Sequence, residues 1–186
     1  MTQIALFGTS ADPPTTAHQT ILKWLSQHYD LVAVWASDNP FKNHQASLEH
    51  RMMMLKLLIG EIDENKIKLC EELSHRRTLI TVEKAREIWG SEVKFILVIG
   101  ADLVSQIRSW YQVEELFKKV QLLIVPRPGY KLEKQDLLAL SNLGAKWDIA
   151  ELDPPPVSST AYRENDNKYA ITSSVNDYIQ REGLYL

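Results

Sequence analysis

The chain has 186 residues, 45% of them hydrophobic and 24% charged, with a formal net charge of -3. That length suits one domain, residues 1–186, with room for a sizeable core, and the composition excludes wholesale disorder. An isoelectric point near 6.0 argues against a general nucleic-acid binder, and no apolar run approaches membrane-spanning length. The N-terminal residues lack the basic and apolar regions of a signal peptide, so a cytoplasmic protein with neither nucleic-acid nor membrane partners is expected.

Short apolar runs alternate with longer amphipathic ones, the βαβα pattern of a mostly parallel sheet covered on both faces. Ile4–Phe7 reads as the first strand, ended by Gly8 and a turn-rich stretch to Thr15. A helix follows over Thr16–His28, with Ile21, Leu22 and Leu25 on one face. Leu31–Ala36 is the second strand, and a polar loop, Ser37–Gln45, leads to a helix capped by Ser47. Further strands are expected at Ile67–Cys70, Val93–Ile99, Gln121–Val125 and Lys146–Ala150. Helices are expected at Leu79–Trp89, stopped by Gly90, and at Ser173–Arg181. Asp153–Pro156 reads as a stiff connector. The fold class is therefore α/β: a Rossmann-like, doubly wound parallel sheet of five or six strands with a small C-terminal helical segment. Ligands of such sheets bind beyond the strands' carboxyl ends, at the topological switch point.

The lone Cys70 cannot form an internal disulfide; it reads as a buried structural thiol that Glu71 and Glu72 would keep protonated. His28, His44, His50 and His75 show no metal-ligand spacing, so no protein-held metal is expected.

Three loops carry the candidate chemistry. In the first, Gly8-Thr9-Ser10-Ala11-Asp12-Pro13-Pro14-Thr15-Thr16-Ala17-His18, small residues let the backbone approach a phosphate, and the next helix offers free N–H groups. The same residues would also make an ordinary βα turn with a surface histidine. The second, Val157-Ser158-Ser159-Thr160-Ala161-Tyr162-Arg163, offers hydroxyls and a guanidinium one turn along to an anion, or a plain helix cap. The third, Gly100-Ala101-Asp102 after a buried strand, sits where Rossmann-type folds hold a ribose, although an isolated Asp there would equally cap a helix.

The first loop resembles the (T/H)-x-G-H loop of the nucleotidyltransferase superfamily, with Ser10, Asp12, Pro13, Thr15 and His18 at matching spacing. Thr9 replaces its second glycine, Ala11 its aromatic residue and Ala17 its motif glycine. The second loop resembles the I-S-S-T-x-x-R signature of the same superfamily, with Val157 for Ile. Gly100-Ala101-Asp102 followed by Trp110 is similar to the nicotinate-nucleotide adenylyltransferase branch, and phosphopantetheine adenylyltransferases lack that element. The likeness extends to Asn39-Pro40-Phe41-Lys42 (Phe41 in place of His), Arg51, Thr78-x-x-Thr81 (Arg77 in place of Tyr), Arg127-Pro128-Gly129-Tyr130 and the tail Val175, Tyr178, Ile179, Leu184, Tyr185.

The resemblance implies transfer of the adenylyl group of ATP to nicotinate mononucleotide, releasing pyrophosphate and forming the dinucleotide of NAD biosynthesis. It implies Mg²⁺ brought by ATP, without a dedicated protein cage. Gly8, Thr9, Ser10, Thr15, His18, Arg127, Ser159, Thr160 and Arg163 would bind ATP. Lys42, Thr78, Gly100, Asp102 and Trp110 would bind the mononucleotide, Asp102 through a ribose hydroxyl and Trp110 by stacking on the pyridine. His18, Arg163 and Lys42 would carry catalysis, and Arg51 either adds phosphate charge or braces its loop. Trp24, Trp35, Trp89, Trp147 and the C-terminal tail are read as packing. Nicotinamide mononucleotide or phosphopantetheine as acceptor, and a nucleotide-binding module without turnover, stay open, as does assembly into a homo-oligomer. Arg77 is either a partner for the nicotinate carboxylate or a solvated surface charge.

Overall fold

The computed structural model describes residues 1–165 and 167–186. Six parallel strands form one sheet: β1 (Gln3–Thr9), β2 (Leu31–Ala36), β3 (Ile67–Leu69), β4 (Lys94–Gly100), β5 (Gln121–Val125) and β6 (Trp147–Ile149), in the order β3-β2-β1-β4-β5-β6. The chain winds outward from β1 in one direction and then, from β4, in the other. With right-handed crossovers, that reversal puts the helices of the two halves on opposite faces. The central strands are buried on both faces, which explains their unbroken apolar runs: Ile4 to Phe7, Val32 to Ala36, Phe95 to Ile99 and Leu122 to Val125 are all core.

Seven α-helices accompany the sheet among the described residues: α1 (Thr16–His28), α2 (Leu48–Glu61), α3 (Thr78–Trp89), α4 (Val113–Lys119), α5 (Lys134–Asn142), α6 (Ser159–Asn165) and α7 (Ser173–Glu182). The Ser47 hydroxyl caps α2 by accepting from His50 N–H at 3.2 Å, and α3 ends at Gly90 with φ 91. α7 packs its buried Val175, Tyr178 and Ile179 toward the core beside α2. No helix among the described residues is long and apolar enough to cross a membrane.

Two helices go beyond the sequence reading. α4 buries Val113, Leu116 and Phe117 at i, i+3, i+4 but is only seven residues long, and α5 buries only Leu140, so neither gives a sustained apolar period. Strand ends differ slightly. β1 runs on through Gly8 and Thr9 because these pair with Trp35 and Ala36. β3 stops before Cys70, where the chain turns into a 3₁₀ segment at Glu71–Leu73. Cys70 is buried, and burial first, then Glu72, pushes its thiol up to about 11.

Gly8 has a packing cause. A Cβ there would lie 2.7 Å from Nε1 of Trp35, whose buried indole would have to shift. Gly60 in α2 has nothing within 4 Å of the same added atom. Urea denaturation should show Gly8→Ala destabilised by about 1–3 kcal/mol. Gly60→Ala should instead gain roughly 0.5–1 kcal/mol, because helix interiors favour alanine.

Candidate active site

The strand order reverses between β1 and β4, and a two-lobed cleft opens above their carboxyl ends. The first lobe, about 430 Å³, is lined by the Gly8–Asp12 turn, Thr15, His18, Lys42, Gly100, Asp102, Arg127, Ser159, Thr160 and Arg163. The second, about 330 Å³, is lined by Trp35, Phe41, Arg77, Thr78, Trp110 and Tyr111. Gly8, Ser37, Asn39, Ile99 and Leu103 line both, so the lobes share a wall.

The loops at opposite ends of the chain meet here by direct bonds. Arg163 Nη1 donates to the Asp12 carbonyl at 2.7 Å, and Ser159 Oγ donates to the Pro13 carbonyl at 2.7 Å. His18 and Arg163 therefore face one cavity. Ser159 differs from the donor expected of it, because its single hydroxyl hydrogen is spent on Pro13 and its oxygen can only accept. Ser158 Oγ accepts from Ala161 N–H at 3.0 Å, so the helix-start capping falls to Ser158. Arg163 Nη2 donates to Thr160 Oγ1 at 3.3 Å.

Asp12 organises the opposite rim. Its carboxylate accepts from Gln45 N–H at 2.7 Å, Ala46 N–H at 3.0 Å and the Tyr185 hydroxyl at 2.7 Å. Tyr185 is thus more than packing. Its phenol is pushed above its ordinary pKa by burial first and then by the bond to Asp12. Arg51 is only 2% exposed and donates to the carbonyls of Ala46, Ser10 and Ser37 at 3.1, 3.0 and 2.7 Å. It braces three loop segments. With Nε and Nη1 committed to backbone carbonyls, bracing is the role its hydrogen bonds carry.

Lys42 is exposed at the first lobe and makes no ion pair among the described residues. Asp102 Oδ2 pairs with Arg127 Nη1 at 2.9 Å, and a Cβ on Gly100 would lie 2.6 Å from Asp102 Oδ1. Glycine at that position lets the carboxylate fold back over the strand end. Of the five residues expected at the mononucleotide, Lys42, Gly100 and Asp102 line the first lobe, and Thr78 and Trp110 the second. Among the lining residues without a sequence signal as site residues are His44 and Tyr111. His44 approaches Ser10 Oγ at 3.3 Å, and Tyr111 lies 4.2 Å beneath the Arg77 guanidinium. Trp35, read as packing, is buried yet also lines the second lobe.

Residues 6–165 match the model of the cytidylyltransferase-like family. A probable nicotinate-nucleotide adenylyltransferase of Synechocystis sp. is 47% identical over 98% of each chain. The chain belongs to the nicotinate-nucleotide adenylyltransferase branch of the cytidylyltransferase-like family. The nicotinate-nucleotide adenylyltransferase of Bacillus subtilis is 28% identical, over 100% of this chain and 99% of that protein. In fold, the chain is similar to Plasmodium falciparum nicotinic acid mononucleotide adenylyltransferase complexed with NaAD, with a TM-score of 0.82 at 23% identity, covering 100% and 98% of the two chains.

The electrostatics of His18 follow from its surroundings. Its pKa is lowered from 6.5 to about 4, by burial first and then by the charges of Lys42 and Arg127. The ring is neutral at physiological pH. It therefore offers the cavity a neutral hydrogen-bonding group. Between about pH 4 and 6.5 the unfolded chain binds more protons at this residue than the folded one. The stability from the neutral ring is complete above 6.5 and is lost as pH falls toward 4. Thermal melts taken from about pH 7 down to about pH 4.5 should show the wild type losing more stability than His18→Gln. Parallel losses would refute the buried neutral ring.

Proposed function

We propose that this chain transfers the adenylyl group of ATP to nicotinate mononucleotide, forming nicotinate adenine dinucleotide and pyrophosphate. One observation supports it above the others. The Gly8–His18 turn and the Arg163 helix are bonded together at a cavity carrying Lys42, Arg127 and Arg163, beside a second cavity lined by aromatic rings. The first lobe suits a triphosphate, and the second suits a flat pyridine that Trp110 can stack on. The reading includes a cytoplasmic enzyme working as one domain over residues 1–186, with neither nucleic acid nor membrane as partner.

In this reaction a phosphate oxygen of the mononucleotide attacks the α-phosphorus of ATP. The new P–O bond forms as the bond to the bridging oxygen of the β-phosphate breaks, and pyrophosphate leaves. The nucleophile is already ionised, so no general base is needed. Catalysis is positioning and charge neutralisation. Arg163 and Lys42 supply charge to the phosphates, Arg127 extends it toward Asp102, and Asp102 accepts from a ribose hydroxyl. Thr160, and the backbone of Gly8 to Ser10, line the same cavity. No group of three His, Cys, Asp or Glu side chains among the described residues could hold a metal. That donor set fits Mg²⁺ only as an ion carried by the ATP phosphates, where it neutralises charge.

Nicotinate differs from nicotinamide by a carboxylate, and Arg77 is the cation of the second lobe that lies against an aromatic ring. We assign it to that carboxylate.

The deciding experiment measures pyrophosphate release from ATP with nicotinate mononucleotide, nicotinamide mononucleotide and phosphopantetheine in turn. The first should give the highest kcat/KM; tight ATP binding with no release for any acceptor would make this a non-catalytic nucleotide-binding module. Arg163→Ala should lower kcat/KM by on the order of 10²–10³, the usual loss of a transition-state charge partner. Arg77→Gln should narrow the preference for nicotinate over nicotinamide by roughly tenfold, with ATP kinetics unchanged.

A further inference from the structure

Thr9 stands where the family loop carries glycine, and its hydroxyl lies 2.9 Å from His18 Nε2. The opposite side of the imidazole sets the direction of that bond. Thr15 N–H is 2.9 Å from His18 Nδ1, and a backbone N–H can only donate. Nδ1 is therefore an acceptor, and the neutral ring keeps its one proton on Nε2. Nε2–H donates to Thr9 Oγ1. A hydroxyl that accepts in this way still has its own hydrogen to give, and no acceptor takes it among the described residues. Thr9 is only partly buried and lines the cavity that also holds Lys42, Arg127 and Arg163.

We propose that Thr9 passes the hydrogen bond of His18 to ATP: Nε2–H donates to Thr9 Oγ1, and Thr9 O–H donates to a phosphate oxygen of the nucleotide. The inference deepens the adenylyl-transfer reading and rests on its first substrate. No proton changes hands in either bond, so the histidine need not titrate. Its ring is held neutral by burial and by the neighbouring cations, which suits a fixed donor. Two bonds in series polarise each other, so the hydroxyl donates more strongly with the imidazole behind it. The capping bond from Thr15 locks the ring. Thr9 is in this account a binding residue, and His18 acts through it.

The rival is a Thr9 that merely fills space while His18 turns to meet the phosphate itself. Calorimetry with a non-hydrolysable ATP analogue and Mg²⁺, without acceptor, separates the two. Thr9→Val keeps the shape and removes the hydroxyl; it should weaken the analogue by about tenfold, and Thr9→Ser should stay within about threefold of wild type. His18→Ala should cost much less in the Thr9→Val background than in wild type, since the ring would have lost its intermediary. A valine variant that binds like wild type, a serine variant that fails to restore binding, or independent multiplying losses would overturn the relay. Should Thr9→Val melt early, Thr9→Ala, which also lacks the hydroxyl, gives the same comparison. Wild-type protein that does not bind the analogue refutes the adenylyl-transfer reading and the relay with it. Wild type that binds while the valine variant binds equally refutes the relay alone.

Discussion

Asp12 and Pro13 are where the site is assembled. Their two backbone carbonyls take the guanidinium of Arg163 and the hydroxyl of Ser159, and the Asp12 carboxylate takes two amides from the Gln45–Ala46 loop and the phenol of Tyr185. Three separate segments are thereby fixed to this dipeptide of the first turn: the loop bearing Lys42, α6 and the C-terminal tail. A buried carboxylate is expensive unless its oxygens are satisfied, and here three donors satisfy it. Arg51 applies the same logic with the opposite sign. It spends its buried donors on three carbonyls of the loops that Asp12 holds by their amides. Together they turn flexible loops into a preorganised rim.

That preorganisation decides which charges are left for a ligand. Arg51 spends Nε and Nη1 on backbone carbonyls, Asp12 is satisfied by two amides and the Tyr185 phenol, and Arg127 is shared with Asp102. Lys42 is unpaired among the described residues, and Arg163 uses only part of its five-donor fork on Asp12 and Thr160. The first lobe thus keeps unspent cations where the proposed reaction needs to neutralise a triphosphate. Burial first, and then the charges of Lys42 and Arg127, keep the neighbouring His18 neutral.

Much of the fold was legible because its signals are local. A fully buried parallel strand has to read as an unbroken apolar run, and α1 and β2 lie where their periodicity puts them. The two loops of small and hydroxyl residues stood out as candidate anion sites for the same reason: glycine, hydroxyls and a guanidinium one turn along are local patterns. What escaped was decided by partners far away in the chain. Nothing near Ser159 reveals that its hydrogen goes to Pro13, 146 residues earlier, and nothing near Tyr185 reveals a bond to Asp12 across 173 positions. Gly8 was read as room for a phosphate, whereas the indole of Trp35 already demands it. Arg51 was left between two roles until its acceptors were visible. α4 escaped because its three buried residues span barely one turn, and α5 because Leu140 alone makes no stripe.

The wall shared by the two lobes ties these strands of argument together. Gly8, Ser37, Asn39, Ile99 and Leu103 belong to both cavities, and they sit above β1 and β4, where the sheet reverses direction. An in-line displacement needs nucleophile, phosphorus and leaving group on one axis. On the proposed reading, the leaving pyrophosphate lies toward Arg163 and Lys42, while the attacking phosphate comes from the side of Trp110. The α-phosphorus then falls at the shared wall. A side chain at Gly8 would push Trp35 into that junction, so the packing that fixes glycine in β1 also keeps the reaction axis clear.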